Sequence, residues 1–86
     1  MNKWQMIIEL NEIAETPGSG TEWRETVTEN GETYTREIKK AAAIAAAARL
    51  LRAVNAGKPN SRADLNKAQT VIKLAQWHRV DPGGGI

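Results

Sequence analysis

Between residues 3 and 14 apolar and polar side chains alternate. Trp4, Met6, Ile8 and Leu10 point one way, and Gln5, Glu9 and Asn11 the other. A period of two predicts a half-buried strand, with Ile7 and Ile13 interrupting its polar side. The stretch Thr16-Pro17-Gly18-Ser19-Gly20 then reads as a turn or loop, because Pro and Gly supply the backbone angles that it needs.

The strongest local signal is Asn30-Gly31. Both central residues of a type I′ turn need positive φ, and Asn-Gly is the pair that tolerates this best. Folding the flanking residues about that turn pairs Thr28 with Thr33, Val27 with Tyr34 and Thr26 with Thr35. It also pairs Glu25 with Arg36, Arg24 with Glu37 and Trp23 with Ile38. The charged pairs are of opposite sign and the apolar pairs match; each contributes roughly 0.2–1 kcal/mol. Only Glu29 opposite Glu32 is unfavourable. One face carries Trp23, Val27, Tyr34 and Ile38; the other carries threonines with Arg24 and Glu37.

From Ile38 to about Ala56 the chain is rich in alanine, the best helix former. Ile44, Ala47, Leu51 and Val54 form its expected core stripe, with Ala43 and Leu50 beside it. Gly57 suits the C-terminal cap and Pro59 the stop. Ser61 caps a second helix, with Asp64 three residues on. That helix is expected to run to about His78, with a core stripe of Leu65, Ala68, Ile72 and Ala75 and a polar side carrying Lys73 and Trp77. Trp4 and Trp23 are expected in the core. The predicted fold is α+β: a three-stranded antiparallel meander followed by two helices, β-β-β-α-α, in one domain over residues 1–80, with 81–86 as a flexible tail.

Charge changes this picture. The net charge is +2, but Met1 to Glu37 holds eight acids against three bases, a net of −5. Ile38 to Ile86 holds nine bases against two acids, a net of +7. Such asymmetry points to a charged partner or to self-association, a homodimer among the possibilities. There is no cysteine, which removes disulfides and thiolate metal sites and fits a reducing compartment. The longest apolar run, Ala41 to Leu51, is too short to cross a bilayer. The N-terminus lacks signal-peptide features. A cytoplasmic, non-membrane protein is expected.

The candidate chemistry is that of binding. One His, no Cys and no motif around Ser19 or Ser61 leave no nucleophile with a base, so no enzyme activity, cofactor or metal is expected. Lys39 and Lys40 open the Ala-rich helix, where cations oppose the helix dipole by about 0.3–1 kcal/mol each. A phosphate held by both ammonium groups and the free N–H groups would explain them. Arg49, Arg52, Lys73 and Arg79 extend this candidate nucleic-acid surface. The candidate protein-binding residues are the acids Glu15, Glu22, Glu29 and Glu32, with Trp77 as an aromatic anchor.

The run Lys39-Lys40-Ala41-Ala42-Ala43-Ile44-Ala45-Ala46-Ala47-Ala48-Arg49-Leu50-Leu51 resembles the last helix of double-stranded RNA-binding domains. In that family the helix follows a three-stranded meander and sets its lysines on phosphates across the RNA major groove. The resemblance implies that role for Lys39 and Lys40; Ala43 stands where the family usually has a third lysine. With a strand at 3–14, the helix that opens the family's fold has no counterpart. In size and charge style the chain is also similar to small phage-encoded inhibitors, including anti-CRISPR proteins, some of which cover nucleic-acid channels with carboxylates that replace phosphates. The expected function is therefore a binding protein that blocks a nucleoprotein complex by protein contact; the alternative is a module for duplex nucleic acid.

Overall fold

A computed structural model of the chain describes residues 1–18 and 20–80. The elements in order are α1 (Lys3–Glu15), β1 (Glu22–Glu29), β2 (Glu32–Lys39), α2 (Lys40–Asn55), α3 (Arg62–Leu74) and β3 (His78–Arg79). The α+β class and the three-stranded antiparallel sheet are as expected, with strand order β1-β2-β3. The positions of two elements differ. The first expected strand is a helix, and the third strand comes from residues expected to end the last helix. The expected tail at 81–86 lies outside the described residues.

The helix at the start has clear local causes. Asn2 caps it, its side chain accepting a hydrogen bond from the Gln5 amide at 2.8 Å. Thr16 closes it, its amide donating to the Ile13 carbonyl and its hydroxyl to the Glu12 carbonyl, and Pro17 follows. The buried residues are Met6, Ile7, Leu10 and Ile13, which recur at helical spacing. Ile7 and Ile13, the two residues that broke the alternation, are thus core. Trp4 and Ile8, two of the four that made it, are 53% and 52% exposed. Trp4 is therefore not a core residue.

The hairpin pairs as expected from Glu29 opposite Glu32 to Trp23 opposite Ile38, and extends to Glu22 opposite Lys39. Asn30 and Gly31 have φ of 52° and 78°, as a type I′ turn requires. Threonine hydroxyls meet across the strands at Thr28 and Thr33 (3.2 Å) and at Thr26 and Thr35 (3.4 Å).

Gly57, with φ of 67°, ends α2. Its amide donates to the Val54 carbonyl and the Lys58 amide to the Ala53 carbonyl, a Schellman closure. Ser61 caps α3 through the Asp64 amide at 3.2 Å. The helix then stops at Leu74, four residues short of expectation. His78 Nε2 donates to the Lys73 carbonyl at 2.6 Å, and His78 and Arg79 pair with Thr35 and Tyr34 on β2.

Of the twelve buried core residues among those described, eleven belong to helices; Ile38 is the exception. Helices α1, α2 and α3 pack on one another, and Ala43, Ala46, Ala47 and Ala68 let their backbones approach closely. The core stripe of α2 is Ala43, Ala46, Ala47 and Leu50, rotated from the expected one, so that Ile44 is 59% exposed. Only the root of the hairpin enters the core, through Ile38 and half-buried Trp23. The expected sheet covered by helices is instead a ribbon that projects from a helical body. The radius of gyration is 15.0 Å, against about 12 Å for a compact chain of this length.

Candidate functional site

The structure separates the two lysines expected to open the Ala-rich helix: α2 begins at Lys40, and Lys39 is the last residue of β2, paired with Glu22. Residues on alternate sides of a strand belong to opposite faces of its sheet. The Lys40 ammonium lies over the Trp23 ring, 5.0 Å from its centroid. The Lys39 ammonium lies 3.7 Å from Glu37, on the other face of the hairpin. The Lys40 amide already donates to the Thr21 carbonyl at 2.8 Å. The two ammonium groups and the Lys40 amide are therefore directed to different partners rather than to one point.

The remaining expected bases fall in three places. Arg49 lies beside a groove between α2 and α3, with Lys39 and Lys67. Arg52 lines a neighbouring recess with Lys58 and Arg49, where Arg49 approaches Asp64 at 3.7 Å. Lys73 offers its carbonyl to His78, and Arg79 sits on the sheet, 3.4 Å from Glu32.

Among the expected acids, Glu15 ends α1 and Glu22 begins β1 at the root of the hairpin. Glu29 and Glu32 flank the turn at its tip, on the face that also carries Val27, Tyr34 and Trp77. Val27, Tyr34, Trp77 and Glu29 line a shallow recess of about 400 Å³. Trp77 is 42% exposed, Val27 41% and Val80 43%.

A polar network fixes this face. The Trp23 indole N–H donates to Glu25 at 2.9 Å, and Arg36 Nε donates to the same carboxylate at 2.9 Å. The Arg36 guanidinium in turn lies over the Trp77 ring. The Trp23 bond, and after it Arg36, hold the Glu25 carboxyl below the usual carboxylate range. At the tip the Tyr34 hydroxyl donates to Glu32 at 2.6 Å, which pushes the phenol above its usual value. On the opposite face Arg24 pairs with Glu37 and holds that carboxyl low. Tyr34 and Arg79 both engage Glu32, the carboxylate that faces Glu29 across the turn.

Sequence reasoning grouped Trp77, Glu29 and Glu32 as protein-binding residues and set Tyr34 on one face with Val27, but it did not join the two sets. It missed Arg36 as a member of the same surface, although its parity in the register sets it on the face of Val27 and Tyr34. The strand that carries Trp77 onto that face had no signal, being two residues long.

Among the described residues, no three His, Cys, Asp or Glu side chains gather as a metal site, and no helix is long and apolar enough to cross a membrane. Comparisons of the chain with protein families, curated proteins and solved structures return no match.

Proposed function

We propose that this chain is a non-enzymatic binding protein whose working surface is the outer half of the hairpin. Its role is to cover a basic, nucleic-acid-handling surface of a partner protein, as small phage-type inhibitors do. One observation carries the proposal: Trp77, Tyr34 and Val27 are displayed together on a projecting ribbon, next to Glu29 and Glu32. Trp, Tyr and Arg dominate binding hot spots because they offer large contact area around a polar handle. Arg36 and Glu25 hold Trp77 and Trp23 in place before any partner arrives, which limits the ordering cost of association. The carboxylates beside the patch favour a partner of positive potential and speed its encounter.

The duplex-binding alternative is less well supported. The chain does open with a helix, as double-stranded RNA-binding domains do. However, Lys39 and Lys40 are directed to opposite faces and engage Glu37 and Trp23.

A pull-down from nuclease-treated host lysate tests the proposal, with the wild type beside Trp77→Ala and beside Glu29→Lys with Glu32→Lys. The expected result is a protein captured by the wild type and lost with both variants. Capture that survives both variants, or that vanishes with nuclease, overturns it. A duplex RNA shift at about 50 mM salt that Lys39→Glu with Lys40→Glu abolishes would put the nucleic-acid function in its place.

A further inference from the structure

The groove between α2 and α3 shares no residue with the hairpin patch and concerns a different contact. It holds about 430 Å³. Its apolar lining is Ala42, Ala45, Ala46, Val71 and Leu74, and Lys39, Arg49 and Lys67 stand around it. Because α2 and α3 are antiparallel neighbours, its two ends differ. Lys39, Ala42 and Leu74 form one end; Arg49, Ala63 and Lys67 form the other. Lys67 has no carboxylate partner among the described residues.

The outer face of α1 carries the complementary pattern. At 100° per residue, Trp4, Ile8, Glu12 and Glu15 fall within a quarter-turn of each other, opposite Met6, Leu10 and Ile13 of the buried stripe, whose fourth member Ile7 borders Trp4. Trp4 and Ile8 are about half exposed, an uncommon display of two large apolar side chains on one small helix. The face is apolar at its N-terminal end and acidic at its C-terminal end. Trp4 to Glu15 spans about 16 Å, and the groove from Lys39 to Arg49 about 15 Å, at 1.5 Å per residue.

We infer that the groove receives α1 of a second copy of this chain. Trp4 and Ile8 lie against Leu74, Val71 and Ala42, and Glu12 and Glu15 meet Arg49 and Lys67. The incoming helix then runs in the same direction as α2, since that direction sets the carboxylates at the end with two bases, Arg49 and Lys67, and the reverse sets them at Lys39 alone, which already faces Glu37. This is a helix-in-groove contact in which apolar anchors give affinity and the basic rim sets orientation. A helix face bound to a groove elsewhere on the molecule is heterologous, so association extends past two copies unless the rotation closes a ring.

Sedimentation velocity at high micromolar concentration tests this, with two surface variants. Trp4→Ala with Ile8→Ala removes the inserting face; Ala45→Glu with Lys67→Glu blocks the groove. All four side chains are exposed, and circular dichroism checks that both variants fold. The wild type is expected to sediment as a dimer or larger at low salt and to dissociate as salt rises. Each variant alone is expected to sediment as a monomer. Mixed, they form a one-to-one dimer, because one retains an intact groove and the other an intact helix face. A monomeric wild type at low salt, a variant that still associates, or a mixture that stays monomeric overturns the inference.

Discussion

The Arg36 guanidinium lies 4.6 Å from the centroid of the Trp77 ring while its Nε and Nη2 hold one Glu25 carboxylate oxygen at 2.9 and 2.8 Å. Strand β3 is only two residues long, so this contact does much to keep the chain after α3 on the sheet. Trp77→Ala is expected to destabilise the fold by about 1–2 kcal/mol. A domain of this size loses roughly 4–8 °C in Tm for each kcal/mol. Thermal melts check this, and an unchanged Tm would show that the stacking contributes nothing.

Helix α1 is tested by two substitutions two residues apart. Leu10 is fully buried, so Leu10→Ala is expected to cost about 2–5 kcal/mol. Ile8 is half exposed, so Ile8→Ala is expected to stay within about 0.5 kcal/mol. On a strand both residues would share one face and cost alike. Urea unfolding of the two variants separates the cases.

Two glycines are needed for different reasons. Gly31 has φ of 78° and open space around it, so Gly31→Ala costs only conformational strain, about 1–2 kcal/mol. At Gly18 an added Cβ would lie 2.6 Å from Cζ2 of Trp23. Gly18→Ala is expected to cost about 1–3 kcal/mol by displacing that indole, with a shift in tryptophan emission that Gly31→Ala lacks.

Stability is expected to fall at both ends of the pH range. Glu25 and Glu37 have carboxyls held low in the folded chain. Their contribution is full above the ordinary glutamate value of about 4.3 and is lost as pH falls through the lower folded values. Tyr34 is pushed the other way. Its contribution is full below about pH 10 and is lost as pH rises through the higher folded value. Denaturation midpoints against pH, with Glu25→Gln and Glu37→Gln beside the wild type, check the acid limb. An unaltered limb in the double variant would remove these two groups as its cause.

What the sequence by itself determined is local. The Asn30-Gly31 turn, the hairpin register out to Trp23 and Ile38, the Gly57 closure of α2 and the Ser61 cap of α3 all follow from contacts within a few residues or across one ladder, where propensity and pairing leave a single answer. Segment 3–15 satisfied both periods in part: Trp4, Met6, Ile8 and Leu10 alternate, while Met6, Ile7, Leu10 and Ile13 recur as a helix. Burial against α2 and α3 decided between them, because only the helix puts Ile7 and Ile13 in the core together with Leu10. The same packing rotated α2 so that Ile44 faces out and alanines face in.

The candidate surface divides in the same way. The shared face of Val27, Tyr34 and Arg36 was legible from the register. Joining it to Trp77 required α3 to end at Leu74 and residues 78–79 to pair with β2, a contact over more than forty positions of chain. The charge split was plain in composition, yet its meaning was tertiary. The fold directed Lys39 and Lys40 apart, gathered Lys39, Arg49 and Lys67 around one groove, and set Glu29 and Glu32 at the tip of a projecting ribbon. Side-chain charge is a property of the sequence, but the potential it creates depends on distances that only the packed chain defines.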